Sequence, residues 1–290
     1  MKKNSRRTFI RDLSLGAVML HPGMAPFYTM RDSMQLGLVT YLWGKDWDVP
    51  TIIKNCKAAN ILGVELRTEH AHGVDPGLSP TQQQEVRQRF ADSPVTLVGL
   101  GTNQDYHHPD QAKLRASIDR TKEFIRLSQA VGGSGVKVKP NAIPKEVPVV
   151  KTIEQIGNAL NEVASYAADF GQEIRVEVHG EVTQELPVLK SILDVADHPN
   201  VKVCWNCNDQ DLWGDGLKAN FELVRDRFGA TVHVRELNIG PYPYQDLMGL
   251  LVKSRYQGWI LLECRTDPAD KVRAMQEQYT VFKEMIRKVG

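Results

Sequence analysis

From residue 34 onward the chain alternates short apolar runs with longer stretches of helical period. Eight short runs occupy residues 35–41, 63–67, 95–99, 134–139, 173–178, 201–205, 230–235 and 258–263. They start about 30 residues apart, the length of a strand plus a returning helix. Between them apolar side chains recur at helical spacing, as Leu114, Ile118, Ile125 and Leu127 do, and Ile153, Ile156, Leu160 and Val163. Gly171 and Gly229 stand where helices are expected to end, just before the next strand. No Pro/Gly/Ser-rich linker or low-complexity tract divides the chain. The pattern predicts an α/β protein, a single (β/α)8 TIM barrel over residues 34–290. An open doubly wound sheet is the competing arrangement. It calls for Gly-x-Gly-x-x-Gly after the first strand, whereas Leu36-Gly37-Leu38-Val39 is followed by Thr-Tyr-Leu-Trp.

Composition narrows the classes. At 290 residues, 42% hydrophobic and 24% charged, the chain is neither a disordered tail, a fibre nor a polytopic membrane protein. Four cysteines in this length make no disulfide scaffold, and Cys204-x-x-Cys207 has no second pair to build a structural zinc site.

The first 33 residues read differently. They begin with lysines and a twin arginine, and residues 13–20 are apolar but far short of the ~20 residues that span a bilayer. The run Ser5-Arg6-Arg7-Thr8-Phe9-Ile10 resembles a Tat-type export signal. This implies a leader over residues 1–33, transient contact with the Tat machinery, a periplasmic or otherwise exported product, and no stable membrane span. Six lysines and arginines stand against two aspartates in this segment; removing that +4 from a net charge of +1 leaves the remainder near −3. A mildly acidic body speaks against nucleic acid as partner.

In a barrel of this type the chemistry sits where the strands end. Strand five ends on Glu177 and His179, strand six on Asn206, Asn208 and Asp209, strand seven on His233, Arg235 and Glu236, strand eight on Glu263 and Arg265. Glu177 and His179 share a strand face, as do His233 and Arg235, and Glu263 and Arg265. Two inward carboxylates ~4 Å apart repel by about 4 kcal/mol at an effective dielectric of ~20. One is then protonated, or arginines compensate, or a divalent cation lies between them. Oxygen ligands with one imidazole suit Mn²⁺, Mg²⁺, Co²⁺ or Zn²⁺.

The ordered set Glu177-x-His179, Asn206 with Asp209, Val-His233-Val-Arg235-Glu236 and Leu-Leu-Glu263 resembles the xylose isomerase-like TIM-barrel family over nearly all of residues 35–290. The resemblance implies one divalent metal held by Glu177, a strand-six residue, His233 and Glu263. The family's strand-six aspartate is Asn206 here. Either Asn206 ligates through its amide oxygen, or Asp209 reaches in from the loop; the stronger affinity of a carboxylate favours Asp209. The resemblance further makes Glu177 and Glu263 a catalytic acid/base pair working through an enediolate, in an isomerase or epimerase of a sugar or keto-sugar. A lyase or hydratase on a keto-sugar or keto-glycoside shares the first step, and a non-catalytic sugar-binding barrel is the alternative of another class. An endonuclease IV-like hydrolase would want about three zincs and more ligands.

Further contacts to a small carbohydrate are expected from His179, from Lys139 at the end of strand four, from Arg235, from Glu65 (alternatively an ion pair with Arg67 inside the barrel), from His107 after strand three, and from Trp43 stacking on a sugar ring. Lys137 shares a face with Lys139, and Cys264 is expected in the core.

Overall fold

Eight parallel strands close on themselves in the order of the sequence. The computed structural model describes residues 34–290; the expected export signal, residues 1–33, lies outside the described residues. The strands are β1 (Gln35–Val39), β2 (Gly63–Arg67), β3 (Thr96–Asp105), β4 (Gly135–Lys139), β5 (Glu173–Glu177), β6 (Val201–Asn206), β7 (Phe228–Val234) and β8 (Trp259–Leu262). Pairing of β1 with both β2 and β8 closes the barrel. Around it run α1 (Val49–Ala58), α2 (Pro80–Ala91), α3 (Gln111–Val131), α4 (Val149–Ala168), α5 (Leu186–Val195), α6 (Gly216–Val224), α7 (Tyr244–Lys253) and α8 (Lys271–Val289). This is the (β/α)8 barrel the hydrophobic pattern predicts.

Local sequence places the helix starts. Asp48, Ser79, Asp110 and Asp270 each accept a hydrogen bond from a backbone N–H of the first turn, satisfying donors that have no partner within the helix. Of the two glycines expected to end helices, Gly171 sits at φ +62 in the turn after α4. Gly229 instead lies inside β7. Its role there is close approach: a Cβ would meet Lys202.

One side of each strand faces the helices, where Ile52, Ile125, Leu160, Ile192, Leu251 and Met275 are wholly buried. The other side faces the barrel axis and is unusually polar. Arg175 lies fully buried there, bonded to Glu173 at 2.9 Å, the Val98 carbonyl at 3.1 Å and Ser134 at 2.8 Å. Gly135 gives its guanidinium room, since a Cβ there would collide with it. Nearer the C-terminal mouth come Glu65, Lys137, Glu177 and His233, all buried. β3 is longer than its apolar run. Its register with β4 shifts between Gly101 and Asp105, and the polar tail carries Asn103 and Asp105 to the rim.

Candidate active site at the barrel mouth

The cluster at the mouth follows from strand parity. Residues two apart share a face, so β2, β4, β5 and β7 each direct a first residue into the barrel and a second toward the opening. The inner residues are Glu65, Lys137, Glu177 and His233; the outer ones are Arg67, Lys139, His179 and Arg235, which are only half-buried. Glu263 follows β8 directly and is 8% exposed.

Glu177 is the best-bonded member. Lys137 Nζ donates to its Oε2 at 2.6 Å, and Asn206 Nδ2 donates to its Oε1 at 3.0 Å. His233 lies against three carboxylates. Its Nε2 is 3.3 Å from Glu65 Oε1, and its Nδ1 is 3.9 Å from Glu177 Oε1 and 4.0 Å from Glu263 Oε2. Neither ring nitrogen makes a well-directed hydrogen bond, and neither oxygen of the fully buried Glu65 does so. Arg67 Nη1 reaches Glu263 Oε1 at 3.9 Å, while its Nη2 and Lys139 Nζ both donate to Asn103 Oδ1 at 3.2 Å.

Charge explains the titration of these groups. Burial alone would lower the Lys137 pKa, but the Glu177, Glu65 and Glu263 carboxylates outweigh it and hold it above the ordinary value. Burial opposes ionisation of Glu177 too, yet Lys137 and His233 hold its pKa well below the usual range. Glu263 moves the opposite way: burial and the neighbouring Glu177 charge raise it, against His233 and Lys137. Burial disfavours a charged His233, but Cys204, Glu65 and Glu177 overcome this and raise its pKa well above the ordinary value.

The donor set fits a divalent cation. Ligand atoms of Glu177, His233 and Glu263 lie within 4.8 Å of one another. Glu65 stands behind the far nitrogen of His233, as carboxylates do behind metal-bound imidazoles. A dication there would take over from a protonated His233 the balancing of the carboxylates of Glu65, Glu177 and Glu263.

The remaining expected site residues are dispersed. Asp209 is exposed at the start of a single 3₁₀ turn, Asp209–Leu212, and takes no part in the cluster. That turn is held by the Asn208 N–H donating to Asp211 Oδ2 at 3.0 Å, which leaves Asn206 as the strand-six side chain against Glu177. Trp43 is 2% exposed in the apolar core, its Nε1 donating to the Thr266 carbonyl at 2.9 Å; it presents no free face for a sugar. Glu65 meets His233 rather than Arg67. The Nε of Arg235 has no hydrogen-bond partner among the described residues, and Arg265 is exposed, so Glu263 meets Arg67 and neither of these arginines. His179 is half-buried at the mouth, its pKa lowered by burial. His107 turns its Nδ1 toward Asp105 at 3.6 Å. All four cysteines are free and buried.

Lys137, bonded to Glu177, joins the expected site residues, and its shared face with Lys139 is the signal for it in the sequence. Asn103 and Asp105 carry none, because they lie past the apolar part of their strand.

The fold and mouth define a TIM-barrel protein with an acidic, imidazole-containing centre at the C-terminal ends of its strands. The chain belongs to the xylose isomerase-like TIM barrel family, whose sequence pattern matches residues 53–285. None of the curated protein sequences matches this chain. Among solved structures it is similar to the apo form of the 3-keto-D-glucoside 4-epimerase YcjR of E. coli (TM-score 0.74, 14% identity, 87% of this chain and 100% of that one). It is also similar to an L-ribulose 3-epimerase (TM-score 0.76, 14% identity, 88% and 95%). A third similar structure is the IolI protein with a binding zinc atom (TM-score 0.74, 12% identity, 89% and 99%).

Proposed function

We propose that this chain is a divalent-metal-dependent isomerase or epimerase of a sugar or keto-sugar, with Glu177 and Glu263 as its acid/base pair. The observation that carries the reading is the convergence of these two carboxylates on His233 from neighbouring sides of the mouth. Glu177, held ionised beside Lys137, removes a proton from the carbon next to a carbonyl. Glu263 returns one from the other side of the site.

A divalent ion held by Glu177, His233 and Glu263 would supply Lewis acidity toward adjacent carbonyl and hydroxyl oxygens of the substrate. Glu65 orients the imidazole of His233 from behind. Lys137 keeps Glu177 anionic and in place. Arg67 and Lys139, tied to one neutral oxygen of Asn103, retain donors for substrate hydroxyls, with His179 beside them. The names of similar structures, a keto-glucoside epimerase and a ribulose epimerase, agree with this substrate class. Export belongs to the same proposal: an extracytoplasmic enzyme would meet unphosphorylated sugars, and cell fractionation with an antibody to the chain tests it.

The direct test is NMR of the manganese-loaded protein with a panel of keto-sugars in D₂O. We expect deuterium to enter the carbon next to the carbonyl, and a product isomeric with its substrate apart from that exchange. Glu177→Gln and Glu263→Gln should each reduce turnover by at least about a hundredfold, the scale of a lost general acid or base. Full activity in both variants would overturn the assignment, and loss of water from the product would move the reaction to the lyase class.

A further inference from the structure

We infer that Asp105, His107 and His108 form a second divalent-metal site, of zinc type, on the rim of the mouth. This site is separate from the Glu177–His233–Glu263 cluster and does not rest on the isomerase reading. Ligand atoms of the three residues lie within 4.8 Å of one another. His108 Nε2 is 3.1 Å and His107 Nδ1 is 3.6 Å from the same oxygen, Asp105 Oδ1. Bonds of ~2.1 Å in a tetrahedron put neighbouring ligand atoms about 3.4 Å apart, and the two measured separations bracket that figure. An ion pair between Asp105 and His108 would account for one ring only. It leaves His107 Nδ1, an atom sealed from solvent, without any hydrogen-bond partner.

The surroundings hold the three ligands in place. The other oxygen of Asp105 accepts from Asn141 Nδ2 at 2.9 Å, which turns Oδ1 toward the two rings. Gln155 Nε2 donates to the Tyr106 and His108 carbonyls at 2.8 and 2.9 Å, fixing the backbone that carries both histidines. Tyr106, between Asp105 and His107, is fully buried, its hydroxyl 2.8 Å from Thr121. Two imidazoles and a carboxylate are a ligand set that zinc accepts, and three protein ligands leave one tetrahedral position for water or a substrate oxygen. Asp105 pairs in register with Lys139, and Asn141 is bridged to Gly180, which follows His179. The rim ion would thus border the residues assigned to substrate.

The test is calorimetric titration of the full, tag-free, metal-stripped chain with Zn²⁺. We expect two ions per chain. His107→Ala and His108→Ala should each remove one, or weaken it at least about a hundredfold, while His233→Ala removes the other. Cobalt bound to the His233→Ala chain should give the intense visible absorption of a tetrahedral ion, and His108→Ala added to that chain should abolish it. Melting of the metal-stripped His107→Ala chain, compared with wild type, checks that the loop still folds. A wild-type stoichiometry of one ion, kept in His233→Ala and lost in His108→Ala, would support the rim site and refute the inner one. A stoichiometry indifferent to both rim substitutions, or no binding at all in His233→Ala, would overturn the inference.

Discussion

Replacing Lys137 by methionine removes the ammonium bonded to Glu177 and keeps nearly the same side-chain volume. The Nζ–Oε2 separation is 2.6 Å, and both side chains are 2% exposed. At an effective dielectric of ~20 that separation corresponds to about 6 kcal/mol of attraction, part of which offsets the cost of taking both charges out of water. Truncating one partner of such a pair leaves the other charge buried and costs about 3–5 kcal/mol. Glu65 and Glu263 add repulsion to the Glu177 carboxylate left behind. At ~2–4 °C per kcal/mol for a chain of this size, Lys137→Met should lower Tm by about 10 °C in EDTA. Lys139→Met, half-buried and bonded only to a neutral amide oxygen, should lower it by less than about 3 °C. Saturating Mn²⁺ should restore part of the loss in Lys137→Met, because the extra negative charge tightens the ion. Thermal melts read by circular dichroism, with and without metal, measure all of this. A Lys137→Met chain melting within 2 °C of wild type in EDTA would refute the claim that the pair compensates buried charge.

Three further outcomes are expected. Asp211 is fully buried, accepts from Tyr242 at 2.6 Å, and is held up at about 7 by burial; its native form therefore binds a proton that the unfolded form releases near 3.8. Stability should fall by about 4 kcal/mol as pH rises between those values, and urea unfolding at pH 5 and pH 8 should show this slope flattened in Asp211→Asn. Asn206→Asp places a fourth carboxylate beside Glu177; it should lower Tm in EDTA and tighten Mn²⁺ at least tenfold by calorimetry, and equal affinities would argue that no ion sits there. Trp43→Ala should cost about 3–5 kcal/mol of stability, as for other buried aromatics, with the KM for sugar unchanged in the fraction that stays folded; a large rise in KM would restore the stacking role.

The barrel was legible because its period is carried by burial. Strands enclosed on both faces read as apolar runs, and the helices between them show one apolar stripe. Glu177, His233 and Glu263 were legible for the same reason, as costly groups at the ends of apolar strands. What escaped depended on register and turns. Asp209 looks equivalent to Asn206 in one dimension, but parity puts Asn206 and Asn208 on one face, and a 3₁₀ turn lifts Asp209 into solvent. Asp105 escaped because a register shift carries β3 beyond its apolar segment. The barrel's inward side was misread at Glu65: its neighbour on the strand, Arg67, tilts to Glu263 and Asn103, and the partner of Glu65 comes from β7, across the interior.

The most direct measurement is anomalous diffraction from a crystal of the full chain soaked in Mn²⁺. We expect one strong peak within bonding distance of Glu177 Oε1, His233 Nδ1 and Glu263 Oε2, with Glu65 still against His233 Nε2. A crystal that binds manganese elsewhere, or not at all, with Glu177 held by Lys137 and Asn206 alone, would contradict a metal centre at the heart of this barrel.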